Sequence, residues 1–280
     1  MESTQKHLTP EEKWERATLA NNFLFYKVMH DNPDVCKHVL EILLEMEIDR
    51  IELRQEDEIF ADFESKGIRL DVYGKNESEI FDLEMQSADT RELPERARYY
   101  QGVMDVDTLK SGQMYKELKT SFVIFICVDD IFHRGLPIYT FESLCRQDTS
   151  IPLGDRALKY FFIARNCDKI LNNGQKAFLR LVSANKGSDE FTERIARLTE
   201  DAKKNIQYKR QFMEWERQRT YDFESGKQAG IAIGEERGGR QKAVEAAGAF
   251  ARNGVSAEII AKSLGMTVEE VEHITGCAKA

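Results

Sequence analysis

Proline, cysteine and histidine are all scarce in this 280-residue chain, at five residues each, and every shortage excludes something. The cysteines (Cys36, Cys127, Cys145, Cys167 and Cys277) are scattered, odd in number and never spaced as CxxC, so neither a disulfide framework nor a zinc ribbon is written here. The histidines form no HxH or HExxH pair, which removes zinc-hydrolase signatures and leaves oxygen atoms to hold any catalytic metal. Long apolar runs are missing too. The longest, 122–128 and 160–164, fall far short of the roughly 20 residues of a membrane-spanning helix. The start, MESTQKHLTPEEKWERA, lacks the apolar core of a secretory signal, so a cytoplasmic home is expected. An excess of positive charge is also absent: 40 Lys and Arg stand against 49 Asp and Glu. Charge is instead divided along the chain. Ten acidic residues fall between Glu41 and Glu64, whereas Lys203 to Arg219 holds six cations against Glu214 and Glu216.

What is present reads as a helix-rich globular protein, 41% hydrophobic and 32% charged. Residues 21–46 carry apolar positions at helical spacing, interrupted by DNPD at 31–34. Alternation at 48–55 predicts a strand, and 68–74 and 80–86 predict two more, joined by the polar KNESE at 75–79 as a hairpin. A helix follows Pro94. The FVIFICV run at 122–128 is continuously apolar and β-branched or aromatic, as a strand covered on both faces should be. Further strands are expected at 137–141 and 158–164, and a long charged helix at 189–215.

From Gly226, glycine recurs at 230, 234 and 238. Each costs about 1 kcal/mol against alanine inside a helix, so the stripe is either a packing helix in close contact or a flexible or marginally helical linker. Three short helical patterns then follow, at 243–252, 256–264 and 267–274, broken by Gly254 and Gly265. Their shape suits a helix-turn-helix, but Lys262 is the lone Lys or Arg between Gly254 and Glu272, so a packing or dimerisation module fits the charge better. The expected organisation is a polar leader (1–19), a catalytic-type domain (20–185), a charged helical segment (186–225), the glycine repeat (226–241) and a small helical module (242–280).

The chemistry concentrates on the hairpin. Strand period two puts Asp82, Glu84 and Gln86 on one face and Phe81, Leu83 and Met85 on the other. A loop of even length keeps Asp71 on the face of Glu84, so two carboxylates converge. Such a pair suits Mg²⁺ or Mn²⁺, which prefer carboxylate and water oxygens, and Gln86 could orient a water or a phosphate. The alternative is an ordinary solvated strand face.

The order of helix and strands, α-β-β-β-α-β, and a series of blocks carry a resemblance. NNFLFYKVM at 21–29, KGIRLDVYG at 66–74, DLEMQ at 82–86, LPERARYYQ at 93–101, LKSGQMYKELK at 109–119 and SFVIFICVDDIF at 121–132 resemble the recombination-promoting nuclease and transposase family of the PD-(D/E)XK nuclease superfamily. The resemblance implies an α/β restriction-endonuclease-like core, a mixed sheet flanked by helices, with a helical C-terminal extension. It implies a metal-dependent DNA endonuclease tied to recombination or mobile elements, with Asp71 and Glu84 as catalytic metal ligands and Gln86 where many relatives have lysine. Glutamine brings no charge, so charge stabilisation falls to the metal or an arginine. On the first helix, where relatives often place an acid, stand Asn21 and Asn22. Asn22 could ligate the cation through its amide oxygen, or the pair could cap a helix. Arg98 and Gln101 are candidate DNA contacts, against the reading of a salt-bridged surface. Homo-oligomerisation through the C-terminal helices, and a catalytically weak nuclease fold that only binds DNA or protein, complete the expectations.

Overall fold

The computed structural model describes residues 8–54, 71–88 and 91–276. The chain forms two compact units, divided between Met213 and Glu214. In the first, helix α1 (Pro10–Arg16) opens with Thr9 and Glu12 in a reciprocal capping box. It buries Trp14, which packs against Phe23 and Phe212 with ring centroids 6.1 and 5.1 Å away. The segment expected to be a polar leader therefore contains an anchored helix. Helices α2 (Asn22–Asp31) and α3 (Pro33–Leu44) meet at Asn32, where Pro33 starts the second helix. That is the break expected from DNPD.

Six strands follow among the described residues: β1 (Glu52–Leu53), β2 (Val72–Lys75), β3 (Glu79–Gln86), β4 (Thr120–Cys127), β5 (Ile138–Phe141) and β6 (Ala157–Ile163). The first is shorter than its alternation suggests, and residues 55–70, including the start of the expected strand at 68–74 and the acidic run from Glu56 to Glu64, lie outside the described residues. The sheet order is β1-β2-β3-β4-β6-β5. β3, β4 and β6 run parallel and the outer pairings are antiparallel. Helix α4 (Leu93–Thr108) makes the crossover from β3 to β4 that a parallel pair requires. The expected mixed α/β sheet flanked by helices is thus the fold.

The two sheet faces differ in their covering. On one, Phe81, Leu83 and Met85 of β3 and Ile124 and Ile126 of β4 pack with α2, α3 and helix α5 (Asn173–Ala184) in the larger core. On the other, α4 lays Ala97, Tyr100 and Met104 against Val123, Phe125 and Phe161. β4 is buried on both faces, as its unbroken apolar run requires. Helix α5 was not anticipated, although Ala177, Phe178, Leu181 and Val182 have helical spacing behind the cap Asn172.

The charged helix expected at 189–215 is two helices, α6 (Glu190–Lys204) and α7 (Ile206–Arg252). Asn205 separates them because its side chain accepts the Gln207 amide at 2.9 Å, starting a new helix. The glycine repeat lies within α7, and the space beside Gly226, Gly230, Gly234 and Gly238 is open. In the second unit, α8 (Ala257–Leu264) and α9 (Val268–Gly276) bury Ile260, Ala261 and Val271 with Ala247 of α7. Gly254 and Gly265 turn the chain at φ of +80° and +65°, values that side chains disfavour.

Candidate active site

The β2–β3 hairpin builds the site. Asn76 accepts the amides of Ser78 and Glu79 on its side chain, closing the tight turn through Glu77 and Ser78. That two-residue turn sets the register Val72 opposite Leu83, which brings Asp71, just before β2, opposite Glu84. The two then bond crosswise. The Asp71 amide donates to Glu84 Oε1 at 2.9 Å, and the Met85 amide donates to Asp71 Oδ2 at 3.0 Å. Each carboxyl group is therefore held by backbone of the opposite strand.

Helix α4 supplies the cation. One Arg96 terminal nitrogen reaches Glu84 Oε2 at 3.2 Å and the other reaches Gln86 Oε1 at 3.1 Å. Arg96 also donates to the Tyr100 hydroxyl, at 3.2 and 2.9 Å, and its guanidinium lies 5.2 Å from the Tyr100 ring and 5.6 Å from that of Phe125. Helical spacing of four places residues 96 and 100 together. Gln86 Nε2 donates to the Ala88 carbonyl, so both ends of the amide are engaged. Burial opposes the Arg96 charge, but Tyr100, Glu84 and Asp71 together raise its pKa. Burial, with Glu84 beside it, pushes Tyr100 up to about 12, so Tyr100 stays protonated.

One more carboxyl belongs to this group. Asp82 precedes Glu84 on the same face, is fully buried, and has no hydrogen-bond partner at either oxygen. The Glu84 carboxyl lies within hydrogen-bonding reach, so a proton on one acid can be shared with the other. Burial raises the pKa of both acids well above the ordinary carboxylate range; the Asp82 charge raises Glu84 further, while Arg96 pulls both down.

The other residues named from sequence fall differently. Asn21 caps α2, accepting the Leu24 amide at 3.2 Å. Asn22 accepts from the Ser87 hydroxyl at 3.4 Å, just past the end of β3. Arg98 is exposed. Gln101 is buried, its amide nitrogen 2.8 Å from Ser121 Oγ and its oxygen bonded by Lys159, so it faces β4 and β6 inside the fold. Sequence analysis put Asp82 on the polar face without giving it a role, read Tyr100 as a packing residue alone, and missed Arg96. The i, i+4 spacing of Arg96 and Tyr100 beside the packing residue Ala97 was the available signal.

Asp71 and Glu84 offer oxygen donors of the kind a hard divalent cation takes. Among the described residues no group of three or more His, Cys, Asp or Glu side chains could hold a metal ion; Asp71 and Glu84 each direct an oxygen to a backbone amide.

The site thus combines a mixed α/β sheet, facing acids on an antiparallel hairpin, an amide two residues on and one arginine of the crossover helix bonded to both. A family model described as PD-(D/E)XK nuclease family transposase matches residues 21–215, and the chain belongs to that family. No match was found among curated proteins or among solved structures. The family gives the chain a nuclease or transposase-associated role, and nucleases of this kind generally use divalent metal ions. Among the described residues no helix is long and apolar enough to cross a membrane.

Proposed function

We propose that this protein is a Mg²⁺- or Mn²⁺-dependent DNA endonuclease, with Asp71 and Glu84 as metal ligands and Gln86 and Arg96 as the groups that meet the scissile phosphate. The crosswise bonding of Asp71 and Glu84 carries the reading, because it holds the two acids opposite each other on one hairpin. When bound, a divalent cation supplies Lewis acidity toward the phosphate and toward an attacking water. The chain's own part is positioning and charge. Arg96 brings permanent positive charge to the face where Gln86 brings none, which supports assigning it the role a lysine at 86 would fill. Asn22, bonded to Ser87, can approach the substrate strand near the end of β3. Exposed Arg98 remains a candidate for a more distant backbone phosphate.

The test is supercoiled-plasmid nicking by purified protein with Mg²⁺, Mn²⁺ or EDTA. Activity is expected only with metal, and Asp71→Ala and Glu84→Ala are each expected to reduce it at least about 100-fold, the scale on which charge-stabilising groups act. Nicking that survives equally in both variants would show the activity to be a contaminant's. A second reading, a nuclease fold retained for binding, is favoured by Asn21, whose amide caps α2 where an acidic ligand would otherwise be sought. Calorimetric titration separates the two, since a protein that takes up no Mg²⁺ or Mn²⁺ even with DNA cannot run this chemistry.

A further inference from the structure

A cavity of about 340 Å³ is lined by Arg91, Leu93 and Pro94 from the start of α4 and by Ile131, Phe132 and His133 from the loop after β4. Both walls leave the same end of the sheet. β3 and β4 run parallel, and the Val128 amide donates to the Gln86 carbonyl at 3.1 Å, which ties their carboxyl ends together. Ligands of open α/β sheets collect at that end. Leu93 stands one turn before Arg96, a rise of about 4.5 Å on a helix. One end of α4 therefore serves both the cavity and the Glu84–Gln86 pair, on the scale of nucleotide spacing in a strand, about 3.4 Å. The β4 wall is held in place. Asp130 accepts the Phe132 and Gly135 amides at 3.1 and 2.6 Å and the Tyr139 hydroxyl at 2.9 Å. The Phe132 ring packs on Tyr139, Phe141 and Phe161, with centroids 4.6, 5.2 and 5.1 Å away. Exposed Arg91 and His133 keep left-handed backbone, at φ of 58° and 54°, which residues other than glycine seldom hold. The lining is thus apolar and partly aromatic, between a permanent cation and an imidazole.

We propose that this cavity receives one unpaired base of the DNA substrate, next to the phosphate that is cut, with His133 at an edge of the base and Arg91 at the phosphate of that nucleotide. The inference rests on the nuclease reading above and names its substrate class: DNA carrying an unstacked nucleotide, as at a bulge, a mismatch or a single-stranded end. Size selects a base. The cavity lies at the small end of the range that encloses small molecules, about 300–1,000 Å³. A pair stacked in duplex cannot enter it, whereas a base turned out of the stack can. The walls agree with that choice, because apolar and aromatic side chains meet the flat face that every base has. The guanidinium matches the phosphate that every nucleotide carries. Glu92 and Glu95, at the same end of α4, keep the charge of this rim low, so the base supplies the preference rather than the backbone.

The experiment uses the full chain and reads fluorescence anisotropy in EDTA with three duplexes of equal length: fully paired, with one central unpaired thymidine, and with an abasic residue in place of that thymidine. Cleavage of the same duplexes in MnCl₂ is followed separately. Wild type is expected to bind the unpaired thymidine at least about 10-fold more tightly than either other duplex, within the range of base stacking on protein side chains. Ile131→Trp, which fills the cavity, is expected to lose that preference, and His133→Gly, which removes the imidazole where the backbone suits glycine, to reduce it. Thermal melting checks that the variants fold, and the wild-type comparison decides alone if Ile131→Trp does not. Equal binding of the three duplexes by wild type, or none, would overturn the base cavity. So would tight binding of the abasic duplex, or an undiminished preference in folded Ile131→Trp. Saturation by thymidine monophosphate with no preference among duplexes would give the cavity to a free nucleotide and overturn the strand contact. Glu84→Gln separates this inference from the reading it rests on: cleavage lost with the preference intact supports both, whereas unchanged cleavage with the preference intact would overturn the active-site assignment and leave the cavity standing.

Discussion

Glu84 has three dissimilar neighbours: the Asp71 amide, the Arg96 guanidinium and the Asp82 carboxyl. Two favour its charge, while burial and Asp82 oppose it more strongly. This sets a pH dependence whose sign can be worked out. An acid whose pKa is raised in the folded state holds its proton there above the unfolded value, about 4. Unfolding then releases the proton, so the contribution to stability is full below the unfolded pKa and is lost as pH rises toward the folded one. In EDTA, the urea midpoint of wild type should therefore fall as pH rises above about 4, relative to that of Asp82→Asn, which cannot titrate at this position. Added Mg²⁺ should restore much of the difference. Parallel profiles for the two proteins would remove Asp82 from the titrating group.

At the scale of elements, α7 tests the balance between propensity and packing. It includes four glycines at intervals of four, although each disfavours helix. A Cβ built at Gly226, Gly230, Gly234 or Gly238 meets nothing within 4 Å, so no contact inside the described chain requires glycine there. Gly230→Ala combined with Gly234→Ala should therefore raise helicity by circular dichroism and stabilise the helix by about 1–2 kcal/mol. A lower melting temperature, or a change in mass by light scattering, would show instead that the glycines serve close contact with another copy. Of the two sequence alternatives, a flexible or marginally helical linker and a packing helix, the segment shares the helical form, while the space beside its glycines is open. The break at Asn205 was equally hidden from periodicity, because it depends on a side chain folding back onto the backbone two residues ahead.

For the whole molecule, the division at Met213 separates the candidate site from the helical tail. The first two turns of α7 belong with the first unit, where Phe212 packs on Trp14 and Phe23. The expected boundary at 185 therefore falls too early for the compact unit. A chain ending at Thr220 should keep metal-dependent nicking within a factor of about 10 of the full chain, a small binding contribution by free energy. Complete loss in a truncated protein that still unfolds cooperatively would make the tail part of the active enzyme. The tail's own helix α9 carries Glu269, Glu270 and Glu272 and is poorly suited to a phosphate backbone, which keeps the assignment of DNA contacts with the first unit.

Local order was legible in the sequence because it follows from local chemistry. Alternation at 80–86 is enough to put Glu84 and Gln86 on one face, and an even turn is enough to bring Asp71 opposite. The unbroken run at 122–128 is enough to mark the central strand, since only a strand covered twice tolerates it. Tertiary structure alone decided the rest. The insertion of β6 between β4 and β5, the choice of Arg96 over Arg98 and the inward turn of Gln101 all depend on how α4 rotates over a sheet whose strands are far apart in the chain. The isolation of Asp82 arose in the same way. Only packing determines that Tyr73, Lys159 and Arg96 turn their donors to other acceptors, leaving a buried acid with no partner but another acid.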